Sequence, residues 1–168
     1  MNLKNLSATK IPKLFKDKLT IKRINQIYKK FEQSVKLNEN FTVAVSGGPD
    51  SLALAFLSKV YSIKKKLSPK FFIVDHKLRP ESTKEAKLVI KILKKYSINA
   101  KILSWQGKKP IKNIQSLARN KRLKLLFAEC DKYKINNILF NIYINIFFLV
   151  LFVLLFLGLI IHRISSGY

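Results

Sequence analysis

From about residue 21 to residue 140, short apolar runs of strand length alternate with longer stretches of helical period, and no two runs are joined by a hairpin signal. "IKRINQIYKKFEQSVKL" sets Ile21, Ile24, Ile27 or Tyr28, Phe31 and Val35 on one stripe, which predicts a helix. "FTVAV" then reads as a buried strand and "LALAFLSKVYSIKKK" as a helix. "KFFIVDH" is a strand and "STKEAKLVIKILKKYS" a helix, with Ser82 and Glu85 spaced as a capping box. "AKILSW" is a strand, "NIQSLARNKRLKLLFAECDKY" a helix, and "INNILF" opens a further strand. Strands that are apolar on both faces and separated by helices imply parallel βαβ units with helices on both sides of one sheet. A chain of 168 residues is long enough for one such domain and a proper core.

Ligands of an open parallel sheet sit beyond the carboxyl ends of its strands. Ser46–Gly47–Gly48–Pro49–Asp50–Ser51 occupies that position after the first strand. Gly47 and Gly48 allow backbone angles that a β-carbon forbids and let a ligand approach the main chain. Pro49 suits the first helical turn. The unpaired amides that follow lie at the positive end of the helix dipole and make a seat for phosphate. Ser46 and Ser51 can add hydroxyl donors, and Asp50 can hold a Mg²⁺ that neutralises phosphate charge. Two common nucleotide loops are excluded: the Walker lysine is missing, and Ser51 stands where a dinucleotide loop needs its third glycine.

Charge and hydropathy separate along the chain. Lys and Arg number 33 against 9 acids, for a formal charge of +24, yet 48% of residues are hydrophobic. Residues 135–168 contain no acid and one base, Arg163, so the charge belongs to residues 1–134. A basic domain of this kind attracts polyanions, nucleic acid above all; a lysine bias from AT-rich coding sequence accounts for the same numbers. The single cysteine, Cys130, excludes an internal disulfide and a cysteine-only metal cage, and reads as a small buried apolar residue. Residues 1–20 read as a basic, adapting tail without an apolar core of signal-peptide length, so the body of the protein is expected in the cytoplasm.

The loop matches Ser-Gly-Gly-x-Asp-Ser, the pattern of the N-type ATP pyrophosphatases. "IVDHKLRPESTKEAK" (Ile73 to Lys87) and "NIQSLARNKRLKLL" (Asn113 to Leu126) resemble the corresponding segments of the tRNA(Ile)-lysidine synthetases, and "ILSWQGKKP" between them also fits. Leu123 departs from the tyrosine usual there. The resemblance runs from about Phe41 to Phe140 and implies an adenine-nucleotide α-hydrolase-like α/β fold (PP-loop, Rossmann-like) over residues 21–140.

It also implies a two-step, ATP-dependent ligation on tRNA(Ile) with a CAU anticodon. The C2 oxygen of the wobble cytidine is adenylated with release of pyrophosphate, and the amine of free L-lysine then displaces AMP. By the same resemblance Ser46, Gly47, Gly48, Pro49, Asp50, Ser51, Asp75 and His76 would bind ATP. Asp50 would position the metal, and Arg119 and Arg122 would contact phosphate or the tRNA backbone, with Asp50 and Arg119 acting in catalysis. The bland alternatives are a polar strand end capping the next helix for Asp75 and His76, solvated bases for the two arginines, and a core position for Trp105.

After "INNILF" the family continues Gly-His-His-x-x-Asp-Asp-x-x-Glu-Thr, whereas this chain reads "NIYINIFFLVLFVLLFLGLIIHRISSGY". Ile146 to Ile161 is uninterrupted apolar or glycine, and from Ile142 only Asn145 is polar. Two accounts stand: residues 141–168 contain a hydrophobic helix that contacts or spans a membrane through 142–161, or they are out-of-frame translation of AT-rich sequence. Both predict a chain that holds ATP without completing the ligation. The alternatives in function are a membrane-tethered, non-catalytic nucleotide- or RNA-binding module, and another PP-loop enzyme of tRNA modification, such as a sulfur transferase. Members of the latter class rely on added cysteines.

Overall fold

The computed structural model describes residues 12–107 and 113–140. In chain order they form α1 (Lys13–Leu19), α2 (Lys22–Ser34), β1 (Phe41–Val45), α3 (Pro49–Lys65), β2 (Lys70–Asp75), α4 (Ser82–Lys94), β3 (Ala100–Ser104), α5 (Ile114–Lys132) and β4 (Asn137–Leu139). The four strands make one sheet in the order β3-β2-β1-β4, every pair parallel. Val43 is opposite Phe71 on one side and Leu139 on the other, and Ile73 is opposite Ile102. The chain proceeds from β1 to β2 and β3 in one direction, and α5 carries it back to place β4 on the far side of β1. Strand order therefore reverses at β1, the point in an open parallel sheet where the connecting loops part and leave a crevice.

The strands are β-branched and aromatic, and the central ones are buried on both faces, as parallel strands covered by crossovers must be. Tyr28, Phe31, Leu54, Leu57, Tyr61, Val89 and Leu93 from α2, α3 and α4 close on Val43, Val45, Phe71 and Ile73 in the main core. On the other face Leu126 and Cys130 of α5 cover Phe72 and Leu103. The Cys130 thiol lies 3.3 Å from the Thr42 hydroxyl, so the lone cysteine is the buried packing residue its sequence context suggests. Trp105 is buried as well. The Tyr61 hydroxyl accepts the Leu37 N–H at 3.1 Å and donates to the Leu37 carbonyl at 2.9 Å, fastening the α2–β1 connection to α3.

Two local expectations are corrected. Residues 1–20 are not a tail throughout, because Lys13–Leu19 is helical and buries Phe15 and Leu19, four positions apart on one face. The Phe15 ring packs 5.1 Å from that of Phe56. A helix of seven residues holds too few apolar positions to register as a period. Nor is there a capping box at α4: no side chain caps it, Ser82 donates to Asp75, and Glu85 pairs with Arg79 at 2.9 Å. Residues 1–11 and the apolar stretch 142–161 lie outside the described residues. Among the described residues no helix is long and apolar enough to cross a membrane.

Candidate nucleotide site at the carboxyl ends of β1 and β2

β1 ends at Val45, and the chain turns through Ser46–Gly47–Gly48 into α3. Gly47 has φ +88°, a conformation L side chains rarely adopt, and a β-carbon there would stand 2.6 Å from Val89 Cγ2 on α4. Gly48 is different. Its φ of −67° and ψ of 157° are ordinary, and the space its β-carbon would enter is open apart from Ser46 Oγ at 3.8 Å. Backbone freedom is required at the first glycine only; the second leaves room for a ligand.

Ser51 is the internal post of the loop. Buried in the first turn of α3, its Oγ accepts the N–H groups of Ser46 at 3.2 Å and Gly47 at 3.0 Å, and donates to the Gly48 carbonyl at 2.8 Å. The Ser51 hydroxyl, expected from the sequence to donate to phosphate, is here engaged within the loop. The amides left for a ligand are those of Gly48, Asp50 and Ser51, which precede the first N–H bonded back into the loop, that of Leu52 to the Gly48 carbonyl at 3.1 Å. Pro49 occupies the first helical position, where its missing N–H costs nothing. The Asp50 carboxylate, in the first turn of α3, has no hydrogen-bond or ion-pair partner among the described residues.

β2 delivers Asp75 and His76 beside this loop. Asp75 is buried, and its carboxylate accepts from the Ser82 hydroxyl (2.7 Å), the Thr83 hydroxyl (2.6 Å) and the Lys77 N–H (2.9 Å). Burial pushes the Asp75 pKa up, but the bonds from Thr83, Ser82 and Lys77 prevail and hold it below the usual carboxylate range. Asp75 thus ties the strand end to the side chains of Ser82 and Thr83, and accepts no backbone N–H of α4. His76 is pushed below its ordinary pKa first by burial and then by the Arg122 guanidinium, with Asp75 pulling the other way. His76 Nδ1 and Arg122 Nε are both buried without a hydrogen-bond partner among the described residues.

These side chains line two cavities that share Ser46, Val74 and His76. One, of about 410 Å³, lies on the α5 side and includes Phe72, Arg122 and Phe140. The other, of about 460 Å³, lies under α4 and includes Gly47, Gly48, Asp75 and Ser82. Of the residues singled out in the sequence, Ser46, Gly47, Gly48, Asp75, His76 and Arg122 converge on this space, with Pro49, Asp50 and Ser51 in the adjoining turn. Arg119, three residues before Arg122, is exposed and lines neither cavity. The contribution of Thr83 was not anticipated. Its signal was available in a strand ending in an acid followed by a helix opening on two hydroxyl residues. No group of three potential metal ligands occurs among the described residues.

Comparison with known proteins agrees with this geometry. A family model described as PP-loop domain matches residues 17–143. The chain is similar to the tRNA(Ile)-lysidine synthase of Bartonella henselae, at 44% identity over 96 residues, 56% of this chain and 20% of that protein. It is 42% identical to that of Wolbachia pipientis over 105 residues, 61% of this chain and 24% of the relative. The synthase of Orientia tsutsugamushi matches at 38% over 109 residues, 65% and 24% of the two chains. The chain thus spans about a fifth to a quarter of the length of these curated relatives. Among solved structures, the U34-tRNA thiolase NcsA from Methanococcus maripaludis superposes with a TM-score of 0.62 at 21% identity, over 69% of this chain and 44% of the other. At that identity the likeness is one of fold. With the parallel sheet, the loop after β1 and the family match in agreement, the chain belongs to the PP-loop domain family, and its PP-loop part is similar to the N-terminal part of the tRNA(Ile)-lysidine synthases.

Proposed function

We propose that the loop after β1 binds Mg·ATP by its triphosphate, and that the domain derives from an ATP-dependent ligase that joins lysine to C2 of the wobble cytidine of tRNA(Ile) bearing a CAU anticodon. The observation that carries the first half is the cradle itself. The Gly48, Asp50 and Ser51 amides stand unpaired at the start of α3, with Ser46, His76 and Arg122 lining the adjoining cavities and the His76 Nδ1 and Arg122 Nε buried without partners among the described residues. Buried polar atoms without partners are rare, and the Arg122 Nε–H calls for an acceptor. The relatives named as lysidine synthases support the second half.

In this assignment the three amides hold the β- and γ-phosphates, and charge developing on the leaving pyrophosphate is stabilised by donors already in place. Asp50 fits a magnesium ion, since Mg²⁺ takes one or two carboxylates and completes its shell with phosphate oxygens and water. When bound, that ion would neutralise triphosphate charge. Arg122, whose guanidinium reaches the cavity on the α5 side, would meet phosphate or the reacting cytidine. Arg119, outside the cavities, is assigned to the tRNA backbone rather than to catalysis. Ser46 offers the free hydroxyl of the loop, and Ser51 keeps its amides aligned. ATP and tRNA meet in the cytoplasm, where we place the domain.

The chain carries none of the His-His, Asp-Asp and Glu-Thr residues that follow the fourth strand in the lysidine synthetases. Those acids are therefore not supplied to its ATP seat by this sequence, and nucleotide binding without lysidine formation is the expected behaviour. The test is calorimetric titration with Mg·ATP, alongside an assay of lysine and tRNA(Ile) for release of AMP. The proposal predicts binding that Asp50→Ala weakens, and no lysidine product. Absence of binding would remove the nucleotide assignment, and Asp50-dependent ligation would show that the missing acids are dispensable.

A further inference from the structure

The loop is held from two sides, and only one belongs to the loop itself. From within, Ser51 Oγ gathers the Ser46 and Gly47 amides. From outside, Val89 of α4 occupies the space beside Gly47, so closely that a β-carbon there would lie 2.6 Å from it. The placement of α4 is thus part of the loop's geometry.

What fixes the start of α4 is unusual, because its first turn is not capped by its own N-cap residue, Glu81. Ser82 and Thr83 instead send their hydroxyls backward to the two oxygens of Asp75, at 2.7 and 2.6 Å, while the Lys77 N–H joins Ser82 on Oδ1 at 2.9 Å. Asp75 is the last residue of β2 and is buried, so the clamp runs from the sheet to the helix without water between. Hydrogen bonds to a charged acceptor are about twice as strong as neutral ones.

We infer that Ser82 and Thr83 are positioning residues of the nucleotide loop: anchored on Asp75, they set α4 where Val89 seats Gly47 and leaves the Gly48, Asp50 and Ser51 amides aligned for an anion. The inference rests on the nucleotide assignment above and deepens it, by making α4 the support on which the amides depend. The carboxylate is kept ionised by the same donors, with Thr83 the largest favourable contributor. Removing that hydroxyl therefore unsettles both ends of the clamp.

Thr83→Val keeps the shape and removes the donor; Thr83→Ser restores it. In the unliganded protein, Thr83→Val is expected to displace the amide resonances of Gly47 and Gly48, and Thr83→Ser to return them. Well below the melting temperature, Thr83→Val should weaken Mg·ATP binding about tenfold, as loss of a supporting shell residue typically does. Val89→Ala should act in the same direction, and the double variant should be less than additive because both changes act through one contact. A purely structural Thr83 would lower the melting temperature and leave the loop amides and the affinity unchanged, which would overturn the inference, as would full additivity with Val89→Ala. Should the unaltered protein fail to bind Mg·ATP, the nucleotide assignment falls, and the unliganded amide comparison decides the positioning role by itself.

Discussion

At Gly47 two demands coincide, a positive φ of +88° and a neighbour, Val89, where a β-carbon would be. Either alone would disfavour a side chain, and together they make Gly47→Ala costly, about 1–3 kcal/mol of stability with the loop displaced. Gly48→Ala is the informative contrast, since its backbone is ordinary and its surroundings are open. That variant should melt with the unaltered protein and still lose Mg·ATP affinity, because the new methyl enters the space a phosphate would use. Thermal melts and calorimetry on the two variants check this; equal losses of stability would mean the second glycine is also conformational. The sequence alone treats the two glycines alike, because the residue that distinguishes them, Val89, lies far along the chain on another helix.

Among the elements, α1 and α5 are the ones whose attachment can be tested separately. α1 hangs on Phe15 and Leu19, both buried against the α3 side of the core. Phe15→Ala should cost about 3–5 kcal/mol, the range for deleting a buried ring. A denaturant midpoint unchanged by that substitution would return residues 13–19 to the status of a tail. α5 is tied to β3 through Glu129, a buried carboxylate paired with Lys101 and, at 3.1 Å, with Lys132.

The Lys101 hydrogen bond is the largest cause holding Glu129 below its usual pKa; burial opposes it and the Lys132 bond assists. A depressed folded-state pKa means this contribution is present above the ordinary glutamate range and is lost as pH falls through the lower, folded value. Glu129→Gln should therefore be less stable than the unaltered protein near neutrality, by about 1 kcal/mol given the exposed lysine ends. The gap should narrow as pH drops below about 4, past the ordinary glutamate range. A gap that widened on acidification would reverse the assignment. The periodicity of α2, α3 and α4 made them legible in the sequence. α1 was not, being about two turns long, and the reach of Ser82 and Thr83 to Asp75 was masked by a spacing that mimics a capping box.

For the molecule as a whole, the alternation of strands and helices sufficed to predict a parallel sheet, and the glycine-rich turn after β1 located its ligand edge. The position of β4 beside β1 was not readable, because nothing in a strand's own residues names its neighbour; it follows from the return of α5 across the sheet. That order puts the loop at the strand-order reversal and opens cavities on both sides of β2's carboxyl end. The strongly basic body is consistent with a polyanionic partner, and the placement of Arg122 by the loop brings one of those charges to the proposed site of chemistry.

The most direct measurement is a titration of the ¹⁵N-labelled protein with Mg·ATP, following the loop amides one by one. The Gly48, Asp50 and Ser51 resonances should move most, and those of Ser46 and Gly47, held on Ser51 Oγ, should move less. A titration that leaves all five where they were, or that shifts only signals distant from the loop, would contradict a phosphate cradle at the end of β1.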